Sequence, residues 1–361
     1  MRIALFSEVY WPMVSGVGVT LRNLTHALED RGHQVRVYTA TYQSPDGSPI
    51  PPEVHQSPSV PLFLYPDVQW AFPRAREVAR DLAAFSPDVV HVATEFAMGL
   101  AGLKAARTLG VPVVASAHTD YERYVSRYGV EWAWGMGWRY LKWFYGKTER
   151  VLCPSRVYEQ HLRSRGIANT GLWTRGIDCE TFNPRHRSDG YRELFGVGPD
   201  DLLVTYVGRL AAEKDLTRLL NAWDALGERR RRAQLVLVGQ GPMAKEIVAR
   251  KIPGVHLTGL LTGRDLSEAY ASADLFAFPS TTETFGNVVL EGMASGLPAV
   301  VAGAGGMLDF CEDGRNALLV RPGDTEHLAD QLARALDDAE LRRKLSAAGL
   351  ATAHGRRWDA I

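Results

Sequence analysis

Short apolar runs alternate with amphipathic segments along most of this sequence. Runs such as Arg2–Phe6 and Leu202–Val207 have the length and composition of buried strands, and helical patterns follow most of them. Because neighbouring parallel strands need a crossover connection, usually a helix, this alternation predicts parallel sheets covered by helices. The other strands predicted in this way are Gln34–Thr39, Val60–Leu64, Asp88–Val92, Pro112–Ser116, Gln234–Val238, Val255–Thr258, Asp274–Phe278 and Ala317–Val320. Residues Ser44–Pro61, rich in Pro, Ser and Gly, are expected to form an exposed loop or a link to an irregular strand.

Length, charge and cysteine content exclude several classes of protein. The 361 residues suffice for two ordinary domains. Forty-one basic residues balance 41 acidic ones, so attraction to nucleic acid or membrane must come from a local patch. Cys153, Cys179 and Cys311 are far apart and lack the spacing of a zinc site, which favours a reducing cytoplasm. We find no apolar run of about 18 residues, and the N-terminal apolar run is too short for a signal peptide.

One stretch, Pro279–Gly306, has the residues expected of an anion-binding site. The predicted strand Asp274–Phe278 runs into a polar loop with Glu283, and Gly286 then precedes a helix that carries Glu291 in its second turn. A helix start offers backbone N–H groups without helical partners and the positive end of the helix dipole, which suit a phosphate. Open α/β sheets bind ligands at the carboxyl ends of their strands. The alternative is that the glutamates only interact favourably with the dipole, as glutamates near helix starts commonly do.

At these residues the sequence resembles a known family. Glu283-Thr-Phe-Gly-Asn-Val-Val-Leu-Glu291, followed by Met-Ala-Ser-Gly-Leu-Pro and Gly305-Gly306, closely resembles the donor-site signature of retaining glycosyltransferases of the GT-B fold, family 4 type. The resemblance extends over about residues 2–358. It implies an α/β fold of two Rossmann-like domains, each with a parallel sheet, that face an interdomain cleft.

The same resemblance suggests where the domains divide. Trp-Thr-Arg-Gly-Ile-Asp178 and Phe182-Asn-Pro184 resemble the boundary segment of the family, so we expect an acceptor-side domain over residues 1–184 and a nucleotide-sugar-binding domain over residues 191–353. The short polar segment 185–190 suits a hinge. Family members normally continue past a tryptophan like Trp358 with a helix that crosses back to the first domain. Residues 354–361 are expected to start such a helix, in a short or truncated form.

Two basic residues follow the predicted strand Leu202–Val207. Gly208 allows a tight turn, and Arg209 and Lys214 can converge on one diphosphate. Basic residues in a loop are usually solvated charges. Here Val-Gly-Arg-Leu-x-x-Glu-Lys matches the phosphate-gripping loop of the resembled family, which favours a role in binding the donor.

The resemblance assigns further residues to the nucleotide-sugar donor. Glu291 would hold the ribose hydroxyls, and Glu283 would hold the hexose and orient its anomeric face. The glycine loop after Arg2–Phe6, chiefly Gly16, would bring backbone N–H groups to the diphosphate, although such a turn also serves plain chain reversal. The remaining donor-binding residues, some of them near the base through backbone contacts, are Gly18, Gly239, Leu261, Thr284, Phe285, Gly286 and Asn287.

A histidine follows another predicted strand. Pro112–Ser116 leads into Ala-His118-Thr-Asp120-Tyr121, again at a carboxyl strand end. A lone histidine is more often a hydrogen-bonded structural group than a catalyst. His-Thr-Asp-Tyr resembles a family motif in which the histidine touches the transferred hexose near its sixth-position hydroxyl. We therefore interpret His118 as a sugar-positioning residue rather than a general base.

The acceptor side also resembles a subgroup of the family. Glu8-Val-Tyr-Trp-Pro with Ser-Gly-Val, together with His118-Thr-Asp-Tyr, looks most like enzymes that glycosylate membrane lipids, including GDP-mannose-dependent mannosyltransferases and sulfoquinovosyl-lipid synthases. This implies a GDP-mannose donor and a membrane glycolipid or lipid-linked acceptor, which Glu8, Tyr10 and Tyr121 would contact.

Two segments combine features that suit a membrane surface. Tyr121–Lys147 mixes four tryptophans with basic residues, and Arg74–Arg80 is basic. Both suit a cytoplasmic protein that lies peripherally at the inner face of the plasma membrane. The alternatives are a bulky helix packed on the sheet and an ordinary solvated face.

The predicted reaction needs no metal or cofactor. Arg209, Lys214 and the helix N-terminus would neutralise the departing nucleoside diphosphate while the sugar carbon gains oxocarbenium character. No Asp-x-Asp motif lies in a convincing place and no side chain stands out as a nucleophile, so we predict a same-face substitution in which the leaving phosphate helps to deprotonate the acceptor.

Other functions compete with this interpretation. A UDP-sugar-dependent glucosyl or sulfoquinovosyl lipid synthase is the alternative transferase. A nucleotide-sugar 2-epimerase shares the fold, although the signature from Glu283 to Glu291 speaks against it. A non-enzymatic nucleotide-sugar-binding protein would not need Arg209, Lys214, Glu283 and His118 together.

Overall fold

A computed structural model describes residues 1–13, 15–44, 47–62, 65–122, 134–358 and 361. Its internal contacts divide the chain into two compact units. The first begins at Met1 and ends at Thr174, and the second contains Arg175–Ile361 together with a short segment that begins at Asp120. Each unit contains a parallel sheet and helices, which confirms the predicted α/β class.

A seven-stranded sheet organises the first unit. The strands of this unit are β1 (Arg2–Phe6), β2 (Gln34–Ala40), β3 (Val54–Ser57), β4 (Ser59–Leu62), β5 (Tyr65–Ala71), β6 (Val89–Val92), β7 (Val113–Ser116), β8 (Arg150–Cys153) and β9 (Thr170–Leu172). The order in the sheet is β3-β2-β1-β6-β7-β8-β9, and all the pairs are parallel. The strand order reverses between β1 and β6.

Two helices of the first unit begin at serine caps. The helices of this unit are α1 (Gly16–Asp30), α2 (Ala75–Phe85), α3 (Ala97–Leu109), α4 (Trp134–Tyr145) and α5 (Arg156–Ser164). The hydroxyl of Ser15 accepts a hydrogen bond from the Gly18 N–H and starts α1. Ser155 starts α5 in the same way, through the N–H of Tyr158.

Two predictions for residues 44–64 are wrong in part. The strand predicted over Val60–Leu64 as part of the parallel sheet is instead β4, which pairs antiparallel with β5 outside that sheet. Pro61 has no N–H to donate to a central sheet, and the pairing register shifts beside it. The segment predicted as an exposed loop or a link to an irregular strand contains β3, which continues the main sheet beside β2.

The second unit repeats the architecture with six strands. They are β10 (Leu202–Val207), β11 (Ala233–Val238), β12 (Val255–Gly259), β13 (Leu275–Phe278), β14 (Ala299–Ala302) and β15 (Leu318–Val320). The helices are α6 (Asp189–Glu193), α7 (Leu216–Ala225), α8 (Ala244–Ala249), α9 (Gly263–Ser272), α10 (Asn287–Ala294), α11 (Thr325–Asp337) and α12 (Ala339–His354). All pairs are parallel in the order β12-β11-β10-β13-β14-β15.

The apolar sequence of these strands explains their burial. Every residue of β13 and β14 is buried, as expected for central parallel strands covered by helices on both faces. Trp223 of α7 and Tyr270 of α9 are fully buried against this sheet. In the observed order the chain starts at β10, moves outward to β12, and returns to β13 on the other side of β10. The loops that follow β10 and β13 therefore meet at the switch point, where sheets of this kind bind ligands.

The segment between the predicted domains belongs to the second unit. Residues 185–190, predicted as a hinge, follow the division between the units at Thr174 and Arg175. His186 contacts the hydroxyl of Ser267 at 2.6 Å, and the Ser188 N–H donates to the Ser272 hydroxyl at 3.0 Å. These hydrogen bonds attach the segment to α9, and its role as a hinge stays a prediction.

Candidate functional site

The loops after β10 and β13 are bound directly to each other. The Thr282 hydroxyl donates to the backbone carbonyl of Glu213 at 3.2 Å. The Thr281 hydroxyl donates to the Asp215 carboxylate at 3.1 Å. The predicted loop with Arg209 and Lys214 is therefore hydrogen-bonded to the predicted loop with Glu283. Both loops lie at the switch point of the second sheet.

An ion pair lies at the centre of this structure. Lys214 Nζ is 2.5 Å from Glu283 Oε1, and the two side chains are only 15% and 16% exposed. The Ser280 hydroxyl donates to the same carboxylate oxygen at 2.8 Å. An ammonium has three N–H donors, so it can hold this carboxylate and also bind phosphate oxygens. The structure brings together two of the predicted catalytic residues.

Arg209 lies on the same loop beside a buried acid. Its Nη1 is 3.7 Å from Oε1 of Glu213, whose side chain is 1% exposed. Burial lowers the pKa of Arg209, and the carboxylate of Glu213 opposes that shift. An arginine stays charged through such a shift because its ordinary pKa lies far above neutral pH. The buried carboxylate therefore holds a fixed positive group at the switch point.

The helix α10 begins next to these charges. Gly286 has φ of +98°, and a Cβ there would lie 2.6 Å from Met307 Cγ, so the turn requires glycine. Among the described residues, no side chain hydrogen-bonds as a cap to the start of α10. The positive end of the α10 dipole therefore has no capping side chain among the described residues, and anion binding there stays a prediction.

Gly305 and Gly306 lie close against the backbone of the loop that carries Glu283. The Gly306 N–H donates to the carbonyl of Glu283 at 2.9 Å. A Cβ at Gly305 would lie 2.3 Å from that carbonyl oxygen, and one at Gly306 would lie 2.0 Å from the carbonyl oxygen of Thr284. Side chains at either position would push the loop away. The glycine pair therefore determines where the Glu283 backbone lies.

Glu291 projects from the second turn of α10. The buried hydroxyl of Tyr270 donates to Glu291 Oε2 at 2.9 Å. Burial raises the pKa of Glu291 to about 7, and the Tyr270 hydrogen bond opposes this shift. The carboxylate therefore changes its charge near neutral pH, which matters for any ligand whose hydroxyls it accepts.

The other predicted donor residues of the second unit lie in the loops after β11, β12 and β13 or at the start of α10. Gly239 follows β11, and its N–H donates to the carbonyl of Gly259 at 2.8 Å. Leu261 is partly buried against the core of the unit. Phe285 is 3% exposed and packs on Phe310, so it anchors the loop and does not offer its ring to a ligand. Thr284 and Asn287 are partly buried on either side of Phe285 and Gly286.

Gly16 and Gly18 differ from their predicted placement. Gly16 was expected in a glycine loop after β1, but α1 itself begins at this residue. Gly18 is buried, and its N–H is taken by the Ser15 hydroxyl at 3.0 Å. Gly16 is exposed in the first turn, where the helix leaves backbone N–H groups without helical acceptors. Of the two glycines, only Gly16 is placed to donate to a phosphate.

His118 follows β7 in the first unit. The backbone on both sides of it is anchored, because the Ala117 N–H donates to Leu152 O at 2.9 Å and the Tyr158 hydroxyl donates to Thr119 O at 2.7 Å. Its Nε2 lies 2.7 Å from the Ser116 hydroxyl. The side chain is partly buried.

Two predicted acceptor residues are buried. Glu8 is 2% exposed, and its carboxylate accepts from the Met98 N–H at 2.5 Å and from the Thr94 hydroxyl. Burial raises the pKa of Glu8. Tyr10 is 5% exposed in a hydrophobic cluster, with its hydroxyl 2.8 Å from that of Thr25. In this conformation neither side chain presents a surface to an acceptor, whereas Tyr121 is partly buried.

The aromatic and basic segment is described only in part. Trp132 lies outside the described residues. Trp138 packs against His161 of α5 and against Arg165, which follows that helix, whereas Trp143 is 50% exposed. Within the described parts of the chain, every helix is too short or too polar to span a bilayer. Nor do the His, Cys, Asp and Glu side chains of those residues gather in any group of three or more that could hold a metal ion.

The structure adds residues that sequence reasoning missed. Ser280 and Tyr270 hold the two glutamates, and Asp215 ties the loops together. Ser280 lies between a predicted strand and Glu283, so its position was a usable signal. Tyr270 lies in α9, and nothing in its sequence neighbourhood distinguishes it from a core aromatic residue.

The two parallel-sheet units are those of a GT-B glycosyltransferase. Sucrose-phosphate synthase from Thermosynechococcus elongatus superposes with a TM-score of 0.82 at 22% identity, over 99% of this chain and 96% of that one. HepE of Anabaena, in a complex with UDP-glucose, superposes with a TM-score of 0.78 at 20% identity, over 99% and 95% of the two chains.

Within that class, the chain belongs to glycosyltransferase family 4. Residues 14–181 match the model of glycosyltransferase family 4, and residues 201–338 match the model of glycosyl transferases group 1. Sulfoquinovosyl transferase SQD2 of Arabidopsis thaliana is 34% identical over 99% of this chain and 71% of its own length. A GDP-mannose-dependent alpha-mannosyltransferase of Mycobacterium tuberculosis is 33% identical over 100% of this chain and 94% of its own. An alpha-monoglucosyldiacylglycerol synthase of Streptococcus pneumoniae is 30% identical over 84% and 71%.

These matches confirm the resemblance and the predicted enzyme class. The protein is a hexosyltransferase that takes its sugar from a nucleotide sugar.

Proposed function

We propose that this hexosyltransferase is a retaining enzyme that moves mannose from GDP-mannose to a membrane glycolipid or a lipid-linked sugar. Two observations support this choice. The relative from Mycobacterium tuberculosis, which matches over 100% of this chain and 94% of its own length, is named for GDP-mannose, and the relative from Streptococcus pneumoniae is named for a diacylglycerol product. The name of the mannosyltransferase specifies an α-linked product, and GDP-mannose is itself α-linked, so that reaction keeps the anomeric configuration.

The observation that carries the mechanism is the Lys214–Glu283 pair beside the start of α10. In the proposed reaction the glycosidic C–O bond to the diphosphate breaks and negative charge grows on the leaving oxygen. Lys214, Arg209 and the α10 N–H groups stabilise that charge. Glu283, held in place by Lys214 and Ser280, accepts from hexose hydroxyls and favours the positive character that develops at the sugar carbon. His118 contacts the hexose, and Glu291 accepts from the ribose hydroxyls.

The acceptor attacks on the face that the diphosphate leaves. The leaving phosphate oxygen takes the proton of the acceptor hydroxyl, so no enzyme nucleophile is needed and the configuration is retained. Products of the reaction are the glycosylated acceptor and the nucleoside diphosphate.

A donor and acceptor screen tests this proposal. GDP-mannose, UDP-glucose and a UDP-sulfoquinovose donor are each incubated with vesicles that contain diacylglycerol, a monoglycosyl diacylglycerol or a polyprenyl phosphate, and the glycolipid products are identified by mass spectrometry. We expect an α-mannosyl lipid from GDP-mannose only. A β-linked product would overturn retention, and transfer exclusively to water-soluble sugars would overturn the lipid acceptor.

We also propose that the reaction proceeds without a divalent metal, since Arg209, Lys214 and the helix N-terminus already supply positive charge to the diphosphate. Turnover should be unchanged in excess EDTA. A loss of activity that Mg²⁺ or Mn²⁺ restores would contradict this.

A UDP-sugar-dependent lipid glycosyltransferase is the second candidate. SQD2 and the glucosyldiacylglycerol synthase are about as similar in sequence as the mannosyltransferase, and HepE has UDP-glucose bound. Thermal shifts with GDP-mannose and UDP-glucose separate the two, because only a donor that binds the folded state raises the melting temperature.

Peripheral membrane contact is part of the same proposal. The half-exposed Trp143 lies on α4 with Lys142, and Arg74 and Arg76 are exposed in the first unit. Sedimentation with vesicles containing anionic lipid should recover the protein, and binding should weaken as salt rises. Equal recovery with neutral vesicles would refute the electrostatic contribution.

A further inference from the structure

Three polar side chains form a continuous hydrogen-bonded chain in the first unit. His91 Nε2 lies 2.8 Å from Ser116 Oγ, and Ser116 Oγ lies 2.7 Å from His118 Nε2. His91 is 5% exposed and Ser116 is 1% exposed, so this series of hydrogen bonds runs from the protein interior to the partly buried His118.

The parallel sheet explains how these residues meet. His91 on β6 is the register partner of Val114 on β7. Ser116 lies two residues after Val114, and alternate residues of a strand share one face. His91 and Ser116 are therefore diagonal neighbours on the same face, and the chain continues from Ser116 to His118 two residues later.

An indole holds both imidazoles from the side. The ring of Trp173, which follows β9, meets His91 at a centroid distance of 6.1 Å and an interplanar angle of 72°. It meets His118 at 6.3 Å and 86°. These edge-on contacts restrict rotation of both rings while the hydroxyl of Ser116 fixes their separation.

The hydrogen-bond chemistry couples the two histidines. A serine hydroxyl carries one proton, so when it donates to one imidazole it must accept an N–H from the other to hold both. When the Ser116 hydroxyl donates to Nε2 of His91, it must accept the N–H of His118, so the protonation of His91 Nε2 is linked to the tautomer of His118. In either arrangement Nε2 of His118 is committed to Ser116, which leaves Nδ1 as the nitrogen that faces other partners.

We propose that His91 and Ser116 are positioning residues that set the orientation and tautomer of His118 for the transferred hexose. The inference rests on the proposed contact between His118 and the hexose. It gives His91, a buried residue of β6, a role in turnover in addition to its role in packing.

A double-mutant cycle tests the proposal in the full-length protein. Variants Ser116→Ala, His118→Ala and the double variant are compared for kcat and for donor KM, with nucleoside diphosphate release measured from whichever of GDP-mannose and UDP-glucose the protein turns over. We expect Ser116→Ala to lower kcat about tenfold, the effect of one lost hydrogen bond in the transition state, with little change in donor KM. In the His118→Ala background the serine substitution should have no further effect, because the residues act as one unit.

Conservative variants separate positioning from packing. His91→Gln places an amide N–H near the position of Nε2 and should keep most of the activity, whereas His91→Leu should match Ser116→Ala. Ser155→Ala removes another buried hydroxyl of the same unit, one that caps α5, and should lower the melting temperature without changing kcat. Nitrogen NMR of labelled histidine should show that the tautomer of His118 changes in Ser116→Ala. Ser116→Thr, which keeps the hydroxyl, replaces the alanine variant if that one does not fold.

The outcomes are distinct. Full activity of His118→Ala would overturn both the proposed sugar contact and this inference. Loss of activity in His118→Ala together with normal kcat in Ser116→Ala would overturn this inference alone. Equal losses from the serine substitution in the presence and absence of His118 would show that Ser116 acts only through packing and would also overturn it.

Discussion

Replacing Lys214 by alanine is the most direct test of the proposed mechanism. The substitution removes a cation whose Nζ lies 2.5 Å from Glu283 Oε1. The side chains of Lys214 and Glu283 are each about five-sixths buried. The substitution therefore changes two quantities at once: the stabilisation of the leaving diphosphate and the free energy of unfolding.

The structure sets the size of both effects. Loss of one fixed donor to a developing oxyanion lowers kcat by about 10²–10³, or about 3–4 kcal/mol. Glu283 would still accept from the Ser280 hydroxyl but would lose its charged partner. Removing one partner of a fully buried pair costs about 3–5 kcal/mol of stability. Because these side chains are about one-sixth exposed, we expect a loss of about 1–3 kcal/mol.

Matched variants distinguish these effects. Lys214→Met keeps the apolar stem and should lose kcat to the same extent as Lys214→Ala. Glu283→Gln in the Lys214→Ala background removes the unpaired carboxylate and should recover stability but not kcat. Lys245→Ala, at an exposed position of α8 in the same unit, should change neither.

The assay is single-turnover release of nucleoside diphosphate, with donor affinity measured by calorimetry and unfolding followed in urea. The reasoning would be refuted if Lys214→Ala kept kcat within about threefold of the unmodified protein while folding normally. It would also be refuted if the entire loss appeared in donor affinity, since that would mean that the lysine binds ground state and transition state equally.

Three further predictions concern the second unit. Because Glu291 has a pKa of about 7, donor KM should rise up to about tenfold from pH 8 to pH 6 as the carboxylate is protonated, and Glu291→Gln should flatten that profile. Gly306→Ala places a Cβ 2.0 Å from the Thr284 carbonyl oxygen, so it should raise donor KM and lower the free energy of unfolding in urea by about 1–3 kcal/mol. An unchanged donor KM and an unchanged free energy of unfolding would contradict this. Asp274→Ala strips the buried Arg192 of a partner at 2.7 Å and, because Asp274 is 17% exposed, should cost about 1–3 kcal/mol with kcat preserved in the folded fraction.

Much of the candidate site can be predicted because its residues follow strands. Continuous apolar runs identified β1, β10 and β13, and each site loop begins where such a run ends. The helix predicted after Gly286 begins at Asn287, and the structure gives Gly286 the positive φ that glycine readily adopts. These features depend on local backbone preferences, which a few neighbouring residues determine.

Other elements could not be predicted because their signals are weak or distributed. Strand β9 is a three-residue edge segment, and β3 lies in a stretch rich in Pro and Ser. Burial of Tyr10 and Glu8 was also unforeseen. The resemblance implied that both side chains contact an acceptor, but residues of the neighbouring helices cover them.

The sequence by itself determined the alternation of strands and helices, the residue types of the site loops and the glycines that let those loops turn, because each of these depends on a short stretch of chain. Only the tertiary structure decided which loops meet. Lys214 and Glu283 are 69 residues apart, and His91 and Ser116 are 25 residues apart. Strand order and register bring each pair together, and these follow from how helices and sheet pack across a whole unit, to which many distant residues contribute at once.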